Sequence, residues 1–302
     1  MKLRSAGGLA APLGAAAIAT AMLAGCGMLP SATAGPAITG PAAPDCPPTP
    51  PVFSCAMRAR IAQVQAYLRQ RPGVVGVVLR DRSTGAVWEN ASAQTPIYMA
   101  STSKLAMAVT LLMQNQAGVI HLSAKDMSVM HDMLHVSSDT AADTLWFKFG
   151  ARFYTRYFPR IGLATARYVA APHIRPPYWG EMLCSAADLS QVITYVLDDM
   201  PAPLRDYLVT TLSHVATDQH FGVWGAGSAS HPGNKDGWSV EKPGCIINSV
   251  GFAGPAQQYT LAMMNSLNGH GGYHAGTDTL TEVAAILFRG HQVQAPKVSA
   301  TP

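Results

Sequence analysis

The chain has 302 residues, of which 13% are charged and 48% hydrophobic, and its 21 basic and 17 acidic side chains give a formal net charge of +4. So small an excess does not supply the clustered basic surface that nucleic acid requires, and no nucleic-acid partner is expected. The aromatic and aliphatic content excludes a wholly disordered protein, and the length fits one large domain with extensions.

The first 25 residues are typical of an export signal. Lys2 and Arg4 precede an apolar stretch, which ends with the small residues of 23–25 (LAG) and Cys26. A basic start, an apolar stretch and small residues before a cleavage point indicate secretion. Small residues followed directly by cysteine resemble the lipobox of bacterial lipoproteins, which implies that lipidated Cys26 anchors the chain to the extracytoplasmic face of the membrane. An uncleaved transmembrane helix over residues 5–25 is the alternative.

Residues 26–51 predict an extended tether between this signal and the folded part of the chain. Pro, Ala, Gly, Ser and Thr dominate the stretch, and such a segment buries too little apolar surface to offset the entropy of ordering. Residues 291–302 predict a similar flexible tail. The folded domain is therefore expected over residues 52–290.

Four further cysteines predict two disulfides in an exported protein, although the sequence alone permits three pairings. A Cys46–Cys55 bond would close a short local loop, and a Cys184–Cys245 bond would join two distant segments. Buried free thiols are the alternative, because a reduced cysteine also packs as a small hydrophobic residue.

The folded region opens with an amphipathic helix, in which Met57, Ile61 and Val64 recur at helical spacing. The pattern then predicts, in chain order, a strand over 74–79, its hairpin partner over 86–89, helices over 104–116, 124–134, 141–149 and 185–198, strands over 245–252 and 258–265, and a closing helix that ends at Gly290. A capping box of Thr279 with Glu282 is expected in that last helix. Strands at both ends that enclose a helical middle indicate an α/β (α+β) fold with an antiparallel sheet.

The first segment that carries chemistry is Ser101-Thr102-Ser103-Lys104, where a loop becomes a helix. Residues three apart on a helix share a face, so the Ser101 hydroxyl and the Lys104 amine are expected to meet. A serine hydroxyl is a poor nucleophile until a neighbouring base takes its proton, and a desolvated lysine is such a base. A helix-capping serine with an exposed lysine is the alternative.

The hairpin, residues 97–104 and the following apolar helix together resemble the penicillin-recognising serine enzymes, the class A β-lactamases and D,D-peptidases. The resemblance implies a serine β-lactamase-like fold, with a sheet of about five strands, helices on both faces and a helical subdomain. It further implies that Ser101 is the acylated nucleophile and Lys104 its base.

The second segment, residues 135–143, resembles the loop of this family that carries Ser-x-Asn before Thr-Ala-Ala. That alignment makes Ser137 a proton relay and puts Asp139 at the substrate-binding Asn position. A register shifted by one selects Ser138 instead, and an ordinary serine cap is a further alternative. An ionised Asp139 only accepts hydrogen bonds, and it would favour the charged form of Lys104, which is not a base.

The third segment, Asn234-Lys235-Asp236-Gly237, resembles the Lys-Thr/Ser-Gly element of the strand beside the nucleophile. By this resemblance Lys235 is an electrostatic anchor for a substrate carboxylate, and Asp236 and Gly237 are substrate-binding positions. Asp236 replaces a hydroxyl there, and its charge would repel a carboxylate. An ordinary polar turn is the alternative.

A fourth element of the class A enzymes has no counterpart. In them a Glu-x-x-Leu-Asn loop supplies the base that activates the deacylating water, whereas residues 145–180 contain neither Asp nor Glu. Glu181 follows directly and is a poor substitute. His131 and His135 have metal-ligand spacing, but no third ligand is evident, so neither a metal nor another cofactor is expected.

Two functions remain open. The first is an acyl-serine enzyme of the cell envelope that acts on peptidoglycan peptides or β-lactams through Ser101, Lys104, Ser137 and Lys235. The second is a lipoprotein that keeps the fold without the chemistry and serves as a binding or scaffold protein. The two acidic replacements in the second and third segments favour the scaffold, and the intact serines and lysines favour the enzyme.

Overall fold

The computed structural model describes residues 52–169, 178–240 and 244–289. The predicted signal and tether, with Cys26 and Cys46, lie outside the described residues, as does the predicted tail. The Cys46–Cys55 bond and the lipid anchor therefore stay predictions.

Sixteen helices and strands of the described residues build the domain. The helices are α1 (Cys55–Leu68), α2 (Ser103–Gln116), α3 (Ala124–His135), α4 (Asp139–Phe149), α5 (Ala151–Tyr157), α6 (Ala186–Thr194), α7 (Ala202–Ser213) and α8 (Tyr273–Arg289). The strands are β1 (Val74–Asp81), β2 (Val87–Glu89), β3 (Ile97–Tyr98), β4 (Arg167–Tyr168), β5 (Met182–Cys184), β6 (Gly233–Ser239), β7 (Ile246–Ala253) and β8 (Tyr259–Ser266).

Five strands form an antiparallel sheet in the order β2-β1-β8-β7-β6, so strands from the two ends of the sequence meet at its centre. The predicted five-stranded antiparallel sheet is confirmed. A second, three-stranded sheet, β3-β5-β4, was not predicted, because strands of two or three residues leave no periodic pattern.

Each face of the five-stranded sheet packs on its own helices. Along β8, Leu261 and Met263 join one apolar cluster with residues of α1 and α8, whereas Ala262 and Met264 join another with residues of α2, α3, α4, α6 and α7. This alternation follows from the period of two in a strand. The larger cluster, on the helical side, carries the site described below.

The two faces of the sheet also explain why Cys184 and Cys245 are not bonded to each other. Both are buried free thiols, so the predicted disulfide between them is wrong. Cys184 belongs to the larger cluster, with its sulfur 3.9 Å from that of Met264, and Cys245 belongs to the cluster on the opposite face. Because the sheet lies between the two clusters, the thiols pack as small hydrophobic groups.

Several element boundaries differ from the sequence predictions. Helix α8 begins at Tyr273, so Thr279 lies inside it and donates to the Ala275 carbonyl, and the predicted capping box is wrong. The helix predicted over 185–198 begins as α6, and one π-helical turn (Tyr195–Asp199) follows it. Helices α5 and α7 were not predicted, and β6 was predicted only by its resemblance to a known motif. Among the described residues, no helix is long and apolar enough to span a membrane.

An ion pair at the start of α3 joins this helix to α4. Ser123 and Asp126 form a reciprocal capping box at the start of α3, and Lys148 of α4 lies 2.6 Å from Asp126 Oδ1. Burial raises the pKa of Asp126, but hydrogen bonds from Lys148 and Ser123 outweigh it and lower the pKa to about 2. Asp126 therefore joins α3 to α4 through a charge that persists into strong acid.

We expect Asp126→Asn to lower the free energy of unfolding at neutral pH by about 1–2 kcal/mol, because the cap and the ion pair both weaken. A carboxyl whose pKa is lower in the folded than in the unfolded chain stabilises the fold above its unfolded pKa, and this stabilisation is lost as the pH falls from about 4 to about 2. Denaturant unfolding should therefore show a smaller difference between the two proteins at about pH 2. Asp278→Asn, at an exposed site, is the control, and an equal difference at both pH values would contradict the assignment.

Candidate active site

Ser101 lies in a turn of 3₁₀ helix (Ala100–Thr102) that leads directly into α2. Helix α2 is buried continuously from Ser103 to Leu112, as expected of a central helix enclosed on all sides. Ala100 has a φ of 47°, in the left-handed region that residues with a Cβ rarely adopt. The nucleophile candidate is therefore held by a strained turn at the start of a fixed helix, an arrangement found at functional sites.

The Lys104 side chain is fully buried and meets Ser101, as the spacing of three residues predicts. Its Nζ lies 2.8 Å from Ser101 Oγ, 2.6 Å from the carbonyl oxygen of Ser137 and 2.5 Å from Asp139 Oδ1. The Asp139 side chain is 72% exposed, so this ion pair joins a buried amine to the surface.

These contacts suit both protonation states of Lys104. A carbonyl and a carboxylate only accept hydrogen bonds, so Ser137 and Asp139 take two N–H groups of the lysine. In the ammonium the third N–H donates to Ser101 Oγ, whereas in the neutral amine the lone pair faces Ser101 Oγ instead. At 2.8 Å the amine is within the reach of a general base.

Opposing effects set the charge of Lys104. Burial lowers the pKa of Lys104, because it removes water from the charged form. The hydrogen bond and the negative charge of Asp139 raise the pKa, and Asp143 adds to them. Burial is the largest effect, so the pKa lies below that of an ordinary lysine.

Ser137 connects Lys104 to a second buried lysine. Ser137 Oγ lies 2.8 Å from Lys235 Nζ and 3.3 Å from Lys104 Nζ. Ser137 has a left-handed φ of 57°, and its hydroxyl faces both lysines while its carbonyl accepts from Lys104. Ser138 Oγ instead accepts from the backbone N–H of Ala141 and caps α4. Of the two registers that the sequence leaves open, the Ser137 hydroxyl is therefore the one beside both amines.

Strand β6 approaches the nucleophile turn closely at Gly237. A Cβ atom at Gly237 would lie 2.8 Å from the backbone nitrogen of Ser101, so any larger residue requires the turn to move. Asn248, which pairs with Gly237 on β7, donates from Nδ2 to the Met99 carbonyl at 3.0 Å. The edge of the sheet is thereby fixed to the chain just before Ser101.

Asp236 lies on the opposite face of β6 from Lys235, because successive strand residues alternate. Its neighbours are Gly222 and Ser249, on the side of the sheet that packs on α8. Asp236 is 1% exposed, and burial raises its pKa well above 3.8. This placement corrects the expectation that Asp236 contacts a bound ligand.

Lys235 itself points to the site and is fully buried, with its Nζ bonded to Ser137 Oγ and to the Asp236 carbonyl. Burial and the charge of Lys104 lower the pKa of Lys235 to about 7, although the nearby carboxylates oppose this shift. Two buried lysines with lowered pKa values therefore share one serine hydroxyl.

Sequence reasoning did not predict the part of the site formed by Tyr178 and Trp179. The Trp179 ring centroid lies 4.6 Å from Lys104 Nζ, and its Nε1 donates to Asp143 Oδ1 at 2.9 Å. The Tyr178 hydroxyl donates to the same oxygen at 2.7 Å. The sequence offers one indication of this part of the site: Asp139 and Asp143 are four apart on α4 and therefore share a face, which places Asp143 near the Lys104 amine as well.

Solved structures with a similar backbone are β-lactamases and PBP-A. A β-lactamase from Streptosporangium roseum matches with a TM-score of 0.63 and 16% identity, over 77% of this chain and 98% of that one. An ancestral class A β-lactamase matches with a TM-score of 0.63 and 17% identity, over 77% of this chain and 100% of that one. PBP-A matches with a TM-score of 0.63 and 18% identity, over 81% of this chain and 98% of that one. The chain has the class A β-lactamase fold.

Curated relatives of this β-lactamase-fold chain are mycobacterial. The proteins named "Putative lipoprotein LppW" from Mycobacterium bovis and Mycobacterium tuberculosis are 28% identical over 242 residues, 75% of this chain and 73% of theirs. No protein-family model matches the sequence. The fold that the serine and lysine motifs predict is confirmed.

Within this β-lactamase fold, the structure also places two further sequence candidates, a histidine pair and Glu181. His131 and His135 stack on the exposed side of α3 with their ring centroids 5.1 Å apart, and His135 Nδ1 contacts the His214 carbonyl. Across the described ranges, no group of three or more His, Cys, Asp or Glu side chains is placed to hold a metal ion. Glu181 follows Trp179 in the same short turn, and its carbonyl accepts from the Val169 N–H.

Proposed function

We propose that the chain is an acyl-serine enzyme of the cell envelope, which acts on peptidoglycan peptides or β-lactams without efficient β-lactam hydrolysis. The observation that carries the proposal is the 2.8 Å contact between Lys104 Nζ and Ser101 Oγ in a buried site. The lysine of this pair has a lowered pKa, which a lysine base requires. The match to PBP-A, a point mutant of which is described as an acyl-enzyme complex with penicillin G, supports the substrate class.

In the proposed reaction, Ser101 Oγ attacks the carbonyl carbon of a lactam or peptide while neutral Lys104 takes the hydroxyl proton. The carbonyl oxygen becomes negative in this step, and backbone N–H donors beside Ser101 would stabilise it. Ser137, which touches both lysines, passes a proton to the leaving nitrogen as the C–N bond breaks, and it takes a proton back from the Lys104 ammonium. The product is an ester on Ser101, and the proton lost by Ser101 is balanced by the one gained by nitrogen.

The decisive experiment is intact-mass measurement after exposure to a panel of β-lactams and activated esters. We expect an adduct on the wild-type protein, with the mass of the intact β-lactam or of the transferred acyl group, and no adduct on Ser101→Ala. Ser103→Ala, two residues later on the same turn, is the matched control and should still be acylated. No adduct with any reagent, or an adduct that survives in Ser101→Ala, would overturn the proposal.

One observation favours the alternative of a binding or scaffold protein without chemistry. The 2.5 Å contact of Asp139 with Lys104 stabilises the charged amine, which is not a base. Under this alternative the Ser101 site binds envelope peptides reversibly. Binding of such a peptide without any mass change, unaffected by Ser101→Ala, is the result that distinguishes it.

The proposed location is the extracytoplasmic face of the membrane, with a lipid anchor at Cys26. The "Putative lipoprotein LppW" relatives support it, together with the small residues that precede this cysteine. Cys26→Ala should abolish lipid labelling and release the protein from the membrane fraction, whereas Cys245→Ala should change neither. Unchanged processing and attachment of Cys26→Ala would exclude the anchor.

A further inference from the structure

The aromatic ring of Trp179 lies against the Lys104 amine. Three acceptors, from Ser101, Ser137 and Asp139, surround the amine at 2.5–2.8 Å, and the Trp179 ring lies over it at 4.6 Å. An ammonium over the face of an indole is attracted by the negative potential of the ring. The ring therefore opposes movement of Lys104 away from Ser101.

Two independent attachments hold the ring in this place. Its Nε1 donates to Asp143 Oδ1 at 2.9 Å, and this oxygen also accepts from the Tyr178 hydroxyl. On the other side, the chain after Trp179 enters β5, and the Met99 N–H donates to the Met182 carbonyl at 2.8 Å. Only 4% of Trp179 is exposed. The same residue thus touches the base, is tied to α4, and is linked through β5 to the backbone before Ser101.

We infer that Trp179 is a positioning residue that holds Lys104 against Ser101 and keeps water away from an acyl group on that serine. The inference rests on the proposed function, since it concerns the fate of the acyl-serine. After acylation Lys104 has delivered its proton and is neutral, with its lone pair towards Ser101 Oγ, so a water admitted between the amine and the ester by removal of the ring would meet an available base. With the ring present, this water is excluded.

Removal of the ring should therefore permit hydrolysis. The oxygen of the admitted water attacks the ester carbonyl, and Lys104 takes its proton. The bond between the carbonyl carbon and Ser101 Oγ then breaks, Ser101 recovers a proton from Lys104, and the acyl group leaves as a free acid. A polar site of this kind, lined by an amine and a carboxylate, holds water once there is room for it.

The test follows acylation and loss of the adduct by intact mass for wild type, Trp179→Ala and Trp179→Phe. For Trp179→Ala we expect acylation to be slower by roughly tenfold and loss of the acyl group to be faster by at least about tenfold. Trp179→Phe keeps an aromatic face over the amine but loses the Nε1 bond to Asp143, so both rates should lie between those of wild type and Trp179→Ala. A purely structural role would slow both steps, so the opposite signs are the signature of the inference.

Two further variants keep the inference testable if Trp179→Ala does not fold. Asp143→Ala removes the acceptor of Nε1 without opening the core, and it should also accelerate loss of the acyl group. Thr144→Ala, at the next position of α4, removes an exposed hydroxyl that donates to the Thr140 carbonyl and leaves the indole attached, so it is the matched control and should behave as wild type. Loss of the acyl group from Trp179→Ala or Asp143→Ala at the wild-type rate or more slowly would overturn the inference alone. If the wild-type protein forms no adduct, the proposed function is overturned and the inference with it.

Discussion

An acyl group on Ser101 is expected to persist, with steady hydrolysis of a chromogenic cephalosporin below about 1 s⁻¹. Loss of the acyl group needs a base beside the attacking water, and such a base typically contributes about 10²–10⁴-fold. The two carboxylates nearest Lys104 are both engaged, Asp139 with that lysine and Asp143 with Trp179 and Tyr178. Residues 145–180 supply no other acid, since they contain neither Asp nor Glu.

Stopped-flow absorbance should show a burst of one equivalent of chromophore followed by a slow phase, and mass spectrometry should show the adduct throughout the slow phase. Ser101→Ala is the control and should show no burst. Steady hydrolysis above about 1 s⁻¹ would contradict the prediction. Glu181→Gln would then be the first variant to examine, because Glu181 is the first acid after the region that lacks them.

The sequence predicts the centre of this site because its residues are close along the chain. Ser101 and Lys104 are three apart on a helix, and helical geometry alone brings them together. The Ser137 loop lies 33 residues beyond Lys104, and its order and spacing, rather than any local geometry, placed it nearby. The sequence did not decide between Ser137 and Ser138, because the left-handed φ of Ser137 depends on packing and cannot be recognised from the residue types.

The errors arise where the path of the backbone decides which way a side chain points. Residues 234–237 resemble a strand motif whose third residue binds substrate, so Asp236 was expected beside the ligand. In the structure, alternation along β6 turns Lys235 to the site and Asp236 to the opposite face. The same rule separates Cys184 from Cys245, since each lies in the cluster on a different face of the sheet.

Trp179 could not be predicted by any spacing rule. It lies 36 residues from Asp143, and its contact with Lys104 depends on the small sheet that joins β5 to β3. A sequence shows that acids are missing from residues 145–180, but only the structure shows which side chain fills the space beside the base. Under the proposed function, the missing acid and the Trp179 ring would have one consequence in common, which is a site that favours acylation over hydrolysis.

Asp139→Asn is expected to make Lys104 a better base at neutral pH. The negative charge of Asp139 and its hydrogen bond raise the pKa of Lys104, whereas burial lowers it. An amide keeps an acceptor for the amine but carries no charge, so the pKa of Lys104 should fall. Acylation requires the neutral amine, so its rate rises as the pH rises through this pKa. The midpoint of the pH–rate profile should therefore move to lower pH, and the rate below that midpoint should rise about tenfold.

A neutral activated ester should serve as the reagent, because the titration of Lys235 then does not affect substrate binding through charge. The rate of adduct formation should be followed between about pH 6 and pH 10. Asp206→Asn, an equally exposed acid on α7, is the control for loss of one negative charge and should leave the profile in place. A midpoint of Asp139→Asn that is unchanged or higher would show that Lys104 is not the base, and the role of proton acceptor would then pass to the hydroxyl of Ser137 and its partner Lys235.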